Sequence, residues 1–291
     1  MAESLKYVLT KEDEDLYVKE LLQRRMLFSS RLRRKLKVQG GVTLNGKPVS
    51  LKSKGLAGDV LEVAYPEEES YFEPQDIHFG VAYEDDDILV ADKPAGIVVH
   101  PTKNFQSGTL ANALSFYINK KGDKYKIRFV NRLDMNTSGL FIVAKNPHAQ
   151  DFLNHEMDAD RVVKKYIAIV RGQLTEDGTV DAPIDKDPNH VARRHVTPDG
   201  YRSVTHYKVL KSLGDNTLIE LRLETGRTHQ IRVHMSYIGH PVLGDDLYDE
   251  TSPLIGRQAL HAAHLEFRHP VTGELITADA PIPEDMERLI K

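Results

Sequence analysis

The 291-residue chain contains no cysteine, which excludes disulfides and thiolate metal sites. It has no apolar run long enough to cross a bilayer, and its start, Met1 to Lys6, lacks the apolar core of a signal peptide. Both absences point to a cytoplasmic protein without a membrane partner. No His-Glu-x-x-His motif occurs, and His229 and His234 are five apart, the wrong spacing for a metal pair on one helical face. These two histidines, with His240, His261 and His264, read first as packing or hydrogen-bonding residues. The sharpest deficit is local: no Asp or Glu occurs between Leu21 and Gly58, where ten basic residues stand. That segment is +10 on a chain of net charge −4, leaving −14 elsewhere. A solvated helix face would carry interspersed acids, so this block is the footprint of a polyanion-binding arm.

With 40% hydrophobic residues the chain can bury a core, and its length suits one large domain with a smaller companion. Glu14 to Met26 reads as a helix, and Ser29 or Ser30 can cap a second one from Arg31 to Lys37. Arg31, Arg34 and Lys35 then share a face and can meet one phosphate backbone. Asn45-Gly46 is a two-residue hairpin signal, and Leu56 to Val63 supplies a turn and another strand. From Tyr65 the composition turns acidic with two prolines, predicting a linker over 65–77 between an arm at 13–64 and a large domain at 78–291.

In the large domain, Asp87 to Pro101 predicts two short strands around a Lys-Pro-Ala-Gly turn, and Thr109–Tyr117 and Pro147–Met157 predict helices. Arg161–Gly172 reads as a strand. Ser203–Glu224 and Leu260–Ala280 read as antiparallel pairs. Hairpins with scattered helices predict an α+β fold with a mixed, mostly antiparallel sheet.

Chemistry concentrates in two places. Val130 to Leu140 packs Arg132, Asp134, Asn136, Thr137 and Ser138 between two β-rich runs, placing Asp134 on a loop or strand end, although an Asx-type turn would use similar residues. Thr225 to His234 crowds polar groups at a strand-to-helix junction, with Thr228 as the expected helix cap and His229 and Arg232 on one outward face.

Arg132-Leu133-Asp134-x-x-Thr137-Ser138-Gly139, together with Asp92-Lys93-Pro94-Ala95-Gly96, Lys165-Tyr166-Ile167-Ala168 and Gly226-Arg227-Thr228-His229-Gln230-Ile231-Arg232, resembles the RluA-type pseudouridine synthases. The resemblance covers roughly residues 78 to 290. Residues 13 to 63 resemble an S4-like RNA-binding domain, and the combination points to the ribosomal large-subunit type. The resemblance implies a catalytic Asp134, an active-site Tyr166, and Arg227 as the basic partner of Asp134. Arg132, Thr137, His229, Gln230, Arg232 and the arm's Arg31, Arg34 and Lys35 are the expected substrate contacts. It further implies no cofactor, no metal, a monomer, and RNA as partner, either free or in an assembling ribosomal particle. One departure is Asn131, where family members usually carry His; Asn cannot titrate. Three rival readings are a non-catalytic RNA-binding or ribosome-assembly protein, a synthase acting on transfer RNA, and a hydrolase pairing Asp134 with a histidine around a divalent ion.

Overall fold

The computed structural model describes residues 4–65, 68 and 70–291, so Pro66, Glu67 and Glu69 of the expected linker lie outside the described residues. At the N-terminal end, strands β1 (Ser4–Val8), β2 (Val42–Leu44), β3 (Lys47–Pro48) and β4 (Val60–Ala64) form a sheet of order β1-β4-β2-β3, packed with helices α1 (Val18–Arg24) and α2 (Ser30–Gln39). Leu21, Leu22, Phe28, Leu32, Leu36, Leu61 and Val63 close an apolar core of their own there. The serine cap holds: Ser29 Oγ accepts from Leu32 N at 3.1 Å. The hairpin turn also holds, with Asn45 and Gly46 both at positive φ. The first helix starts later than expected, at Val18, where Tyr17 N donates to Glu20 Oε2 at 3.0 Å and Val18 N donates out of the helix to Ser53 O at 2.8 Å.

The remaining strands are β5 (Gly80–Glu84), β6 (Ile88–Lys93), β7 (Arg128–Phe129), β8 (Ser138–Ala144), β9 (Val163–Arg171), β10 (Gly178–Asp181), β11 (Ile184–Lys186), β12 (Arg194–Val196), β13 (Val204–Leu213), β14 (Asn216–Leu223), β15 (Leu260–Arg268) and β16 (Leu275–Asp279). All but β11 and β12, which pair with each other, join one ten-stranded sheet whose main path is β10-β13-β14-β9-β15-β8-β6-β5. Helices α3 (Leu110–Lys121), α4 (Pro147–Asp158), α5 (Gln230–Tyr237) and α6 (Glu284–Ile290) accompany it. This is the expected α+β architecture, and of the sheet's pairings among the described residues only β15 with β8 is parallel.

That parallel seam lies at the middle of the sheet, and Gly139 permits it. Gly139 has φ +110, and a Cβ there would collide with the Ala262 backbone, so only glycine lets β8 approach β15 this closely. The second strand expected around 97–100 does not form. The carbonyls of Val98 and Val99 instead accept the first N–H groups of α3, from Leu110 at 2.9 Å and Ala111 at 3.0 Å.

Candidate active site

Asp134 stands on the loop that enters β8, and buried side chains from two other segments hold this loop. Lys93, fully buried, donates Nζ to the carbonyls of Met135 at 3.0 Å, Ile97 at 3.0 Å and Pro94 at 2.9 Å. Burial pushes its ammonium down to about 7. Arg257 donates to Asn136 O at 3.2 Å while paired with Asp285 of α6, and Gln258 Nε2 donates to Thr137 Oγ1 at 3.3 Å. A carboxylate mounted this way keeps its position without help from substrate.

The guanidinium that reaches Asp134 belongs to Arg232. Its Nη1 donates to Asp134 Oδ2 at 3.0 Å, and its Nε and Nη2 grip buried Asp245 at 2.6 and 2.7 Å. Burial works against this cation, yet Asp245 and Asp134 outweigh it and hold the guanidinium above its ordinary range. Arg227, expected as the partner, is exposed instead, bonded through Nε to Arg202 O at 3.4 Å and lying over the Tyr201 ring. The reason is where α5 begins. Thr228 does not cap it; His229 does, at φ 58, so the helix starts at Gln230 and its first inward-facing turn carries Arg232. A non-glycine residue in the left-handed region is uncommon, and such residues gather at functional sites.

His229 touches the same carboxylate. Its Nε2 is 3.8 Å from Asp134 Oδ2, and its Nδ1 is 2.9 Å from Tyr248 Oη, which accepts from Arg194 N at 2.8 Å. Burial lowers the imidazole below its ordinary value, opposed by Asp134. Tyr248 also lies under the Arg232 guanidinium, 5.1 Å from ring centre to Cζ. Asp134 Oδ1 is left without a hydrogen bond among the described residues.

Two cavities meet at this carboxylate. One, of about 640 Å³, is lined by Asp134, Tyr166, Lys164, Arg227, His229 and Arg232 among others. The second, about 690 Å³, opens on the other side of Asp134 toward His100 and Phe129. Arg132, exposed and unpaired among the described residues, borders both. Tyr166 reaches the first from β9; burial, reinforced by Asp134, raises its phenol well above the ordinary range, so it stays neutral.

The expected contacts thus converge, with three corrections besides Arg227. Gln230 is buried and uses its whole amide internally, accepting from Thr225 Oγ1 and Arg227 N and donating to Val204 O and Thr205 Oγ1, so it positions the junction and has nothing to offer a substrate. Thr137 is likewise buried and held by Gln258, so it shapes the loop. In the arm, Arg31 and Arg34 are exposed, but Lys35 is turned aside into an ion pair with Glu68, which also pairs with Arg128. Asn131 Oδ1 accepts from Ile142 N at 2.8 Å, a strand-bridging role that needs no proton transfer.

Sequence reasoning overlooked the roles of Lys93, Lys164, Asp245 and Tyr248. Only Lys164 had a local signal, the period-two spacing to Tyr166. As for metals, ligand atoms of Asp85, Asp87 and His269 lie within 4.8 Å of one another, away from both cavities. His269 Nδ1 accepts from Val271 N and Thr272 N, so Nε2 carries the proton and donates to Asp85. In that tautomer the histidine ties two turns together and has no lone pair for an ion.

The RNA pseudouridylate synthase family profile matches residues 87–237, about half of the chain. The chain is 42% identical over 268 residues to the uncharacterized RNA pseudouridine synthase YjbO of Bacillus subtilis, covering 91% of this chain and 95% of that protein. It is also 42% identical over 266 residues to the ribosomal large subunit pseudouridine synthase D of Xanthomonas campestris, covering 86% and 80% respectively. Among solved structures, human RNA pseudouridylate synthase domain containing 1 aligns with a TM-score of 0.61 at 27% identity, over 74% of this chain and 89% of that one. On the profile, the identities and the shared fold together, the chain belongs to the RluA-type RNA pseudouridine synthases, enzymes that isomerise uridine in RNA.

Proposed function

We propose that this enzyme modifies uridine in large-subunit ribosomal RNA, acting as a cytoplasmic monomer, with Asp134 as its catalytic carboxylate. The observation that carries the site assignment is a rigidly mounted Asp134 whose Oδ2 is held by Arg232 while Oδ1 stays unpaired at the meeting of two cavities. Isomerisation breaks the bond from C1′ to N1 of uracil, turns the freed base, joins C1′ to C5, and removes the C5 proton. A carboxylate fixed by a guanidinium meets the need for a charged group at the sugar or the base edge that does not move as the base turns. Neutral Tyr166 offers the turning base a flat apolar face. The ribosomal substrate is supported by the name of the Xanthomonas relative and by the basic arm. Residues 13–64 are proposed as an S4-like RNA-binding domain, with exposed Arg31 and Arg34 meeting phosphates. No helix among the described residues is long and apolar enough to cross a membrane.

The test is Asp134→Asn, which keeps the side-chain shape and removes its charge. We expect this variant to fold and bind RNA but release no tritium from RNA labelled at C5 of uridine. Release at the wild-type rate would end the catalytic assignment. Mapping pseudouridine in ribosomal and transfer RNA from cells with and without the gene tests the substrate separately, and a change confined to transfer RNA would overturn the ribosomal reading.

A further inference from the structure

Six lysines and arginines are buried among the described residues: Lys93, Arg128, Lys145, Lys164, Arg232 and Arg257. Five have their positive charge answered. Lys93 has three carbonyls, Arg128 has Glu68, Lys145 has Glu84, Arg232 has two carboxylates and Arg257 has Asp285. Lys164, only 7% exposed, makes no hydrogen bond or ion pair with any described residue. Burial lowers its ammonium, opposed only by the exposed Asp160 carboxylate. The Lys164 stem is buried, but its Nζ is not among the side-chain atoms sealed from solvent without a partner, so the ammonium opens onto the cavity with no protein carboxylate or carbonyl on it and can take an anion.

Its position indicates which anion. Lys164 and Tyr166 are two apart on β9, hence on one face, and both line the cavity that holds Asp134. They are separated by roughly 7 Å along the strand, within the span of one nucleotide. We propose that Lys164 is a phosphate-binding residue that receives a backbone phosphodiester flanking the target uridine while the base lies against Tyr166. Exposed Asp158 and Asp160 border the same cavity and repel a free dianion, which favours a phosphate delivered on a bound nucleoside. The proposal rests on the reading that the target uridine occupies the Asp134 cavity, and its test reads binding rather than turnover, so either can fail alone.

The experiment compares equilibrium binding of uridine 3′,5′-bisphosphate, uridine and inorganic phosphate to the full-length wild type, Lys164→Met and Lys164→Arg. A charge-assisted hydrogen bond predicts that wild type prefers the bisphosphate over uridine by about tenfold or more. Lys164→Met should lose that preference with uridine binding unchanged, and Lys164→Arg should keep part of it. Because Met retains the apolar stem and removes an unpaired charge, its thermal midpoint should equal or exceed that of wild type. Four outcomes overturn the proposal: an undiminished preference in Lys164→Met, an equal loss of uridine binding, inorganic phosphate binding as tightly as the bisphosphate, or a Met variant that unfolds, which would mean the ammonium already has a partner.

Discussion

Arg232 divides one guanidinium between two carboxylates with unequal surroundings. Asp245 is fully buried, whereas Asp134 keeps 21% of its side chain exposed toward the cavities. Removing the arginine therefore strands the buried Asp245 charge as well as freeing Asp134. Arg232→Ala should cost about 3 to 5 kcal/mol of stability in urea unfolding. Arg227→Ala removes a surface stack on Tyr201 and one long, exposed hydrogen bond to Arg202 O, so stability should stay within about 0.5 kcal/mol. Its single-turnover rate at saturating RNA should match wild type. A large drop of that rate in Arg227→Ala, with RNA binding intact, would restore Arg227 as the functional partner of Asp134.

The parallel pairing of β8 with β15 depends on one hydrogen-bonded histidine as well as on Gly139. Ser138 donates Oγ to Nδ1 of His261 at 2.9 Å, and His261 Nε2 donates to Ala280 O at 3.4 Å, so the ring is wired as a neutral imidazole. Burial, only partly opposed by the Ala280 carbonyl, pushes His261 down to about 4 from an ordinary 6.5. Between those values the unfolded chain binds a proton that the folded chain refuses. Stability from this residue is complete above the unfolded value and falls as the pH drops toward 4, by about 3 kcal/mol in total. Urea midpoints at pH 7, 5.5 and 4 should trace that decline, and His261→Gln should flatten it. An equally steep decline in the variant would assign the acid sensitivity to other groups.

At the scale of the molecule, α4 connects the arm to the site. Phe28 packs against His148 with ring centres 4.9 Å apart and Ser29 donates to Asp151, both near the start of α4, while Met157 and Asp158 at its end line the Asp134 cavity. The arm is thereby seated on the body that holds Asp134, with Arg31 and Arg34 facing solvent. From the other end of the chain, α6 supports the Asp134 loop through Asp285 and Arg257. Replacing Arg31 and Arg34 together by Ala should reduce the logarithmic salt slope of RNA binding by roughly 0.7 to 0.9 for each phosphate no longer neutralised. The rate at saturating RNA should not change. An unchanged slope would mean that the arm does not grip the backbone through these residues.

Local chemistry determined much of this protein from its sequence alone. Short β-rich apolar runs and turn signals marked β8, β9 and the β13–β14 and β15–β16 pairs, because branched and aromatic side chains over a strand's length report directly on strands. Ser29 and Pro147 marked helix starts, because an N-cap serine and a first-turn proline both act within a few residues of their own positions. The polar stretch around Asp134 stood out for the same reason. What the tertiary structure decided was pairing between distant residues. Asp134 and Arg232 are 98 apart in the chain, and no local pattern distinguishes Arg232 from Arg227 as the partner. That choice followed from His229 taking a left-handed backbone, which reset where α5 begins, and from Asp245 arriving to anchor the guanidinium. Lys93 beneath the loop was silent in the sequence, and Lys164 showed only its period-two spacing to Tyr166, since a lysine shows its burial and its lack of a partner only after the sheet has closed around it.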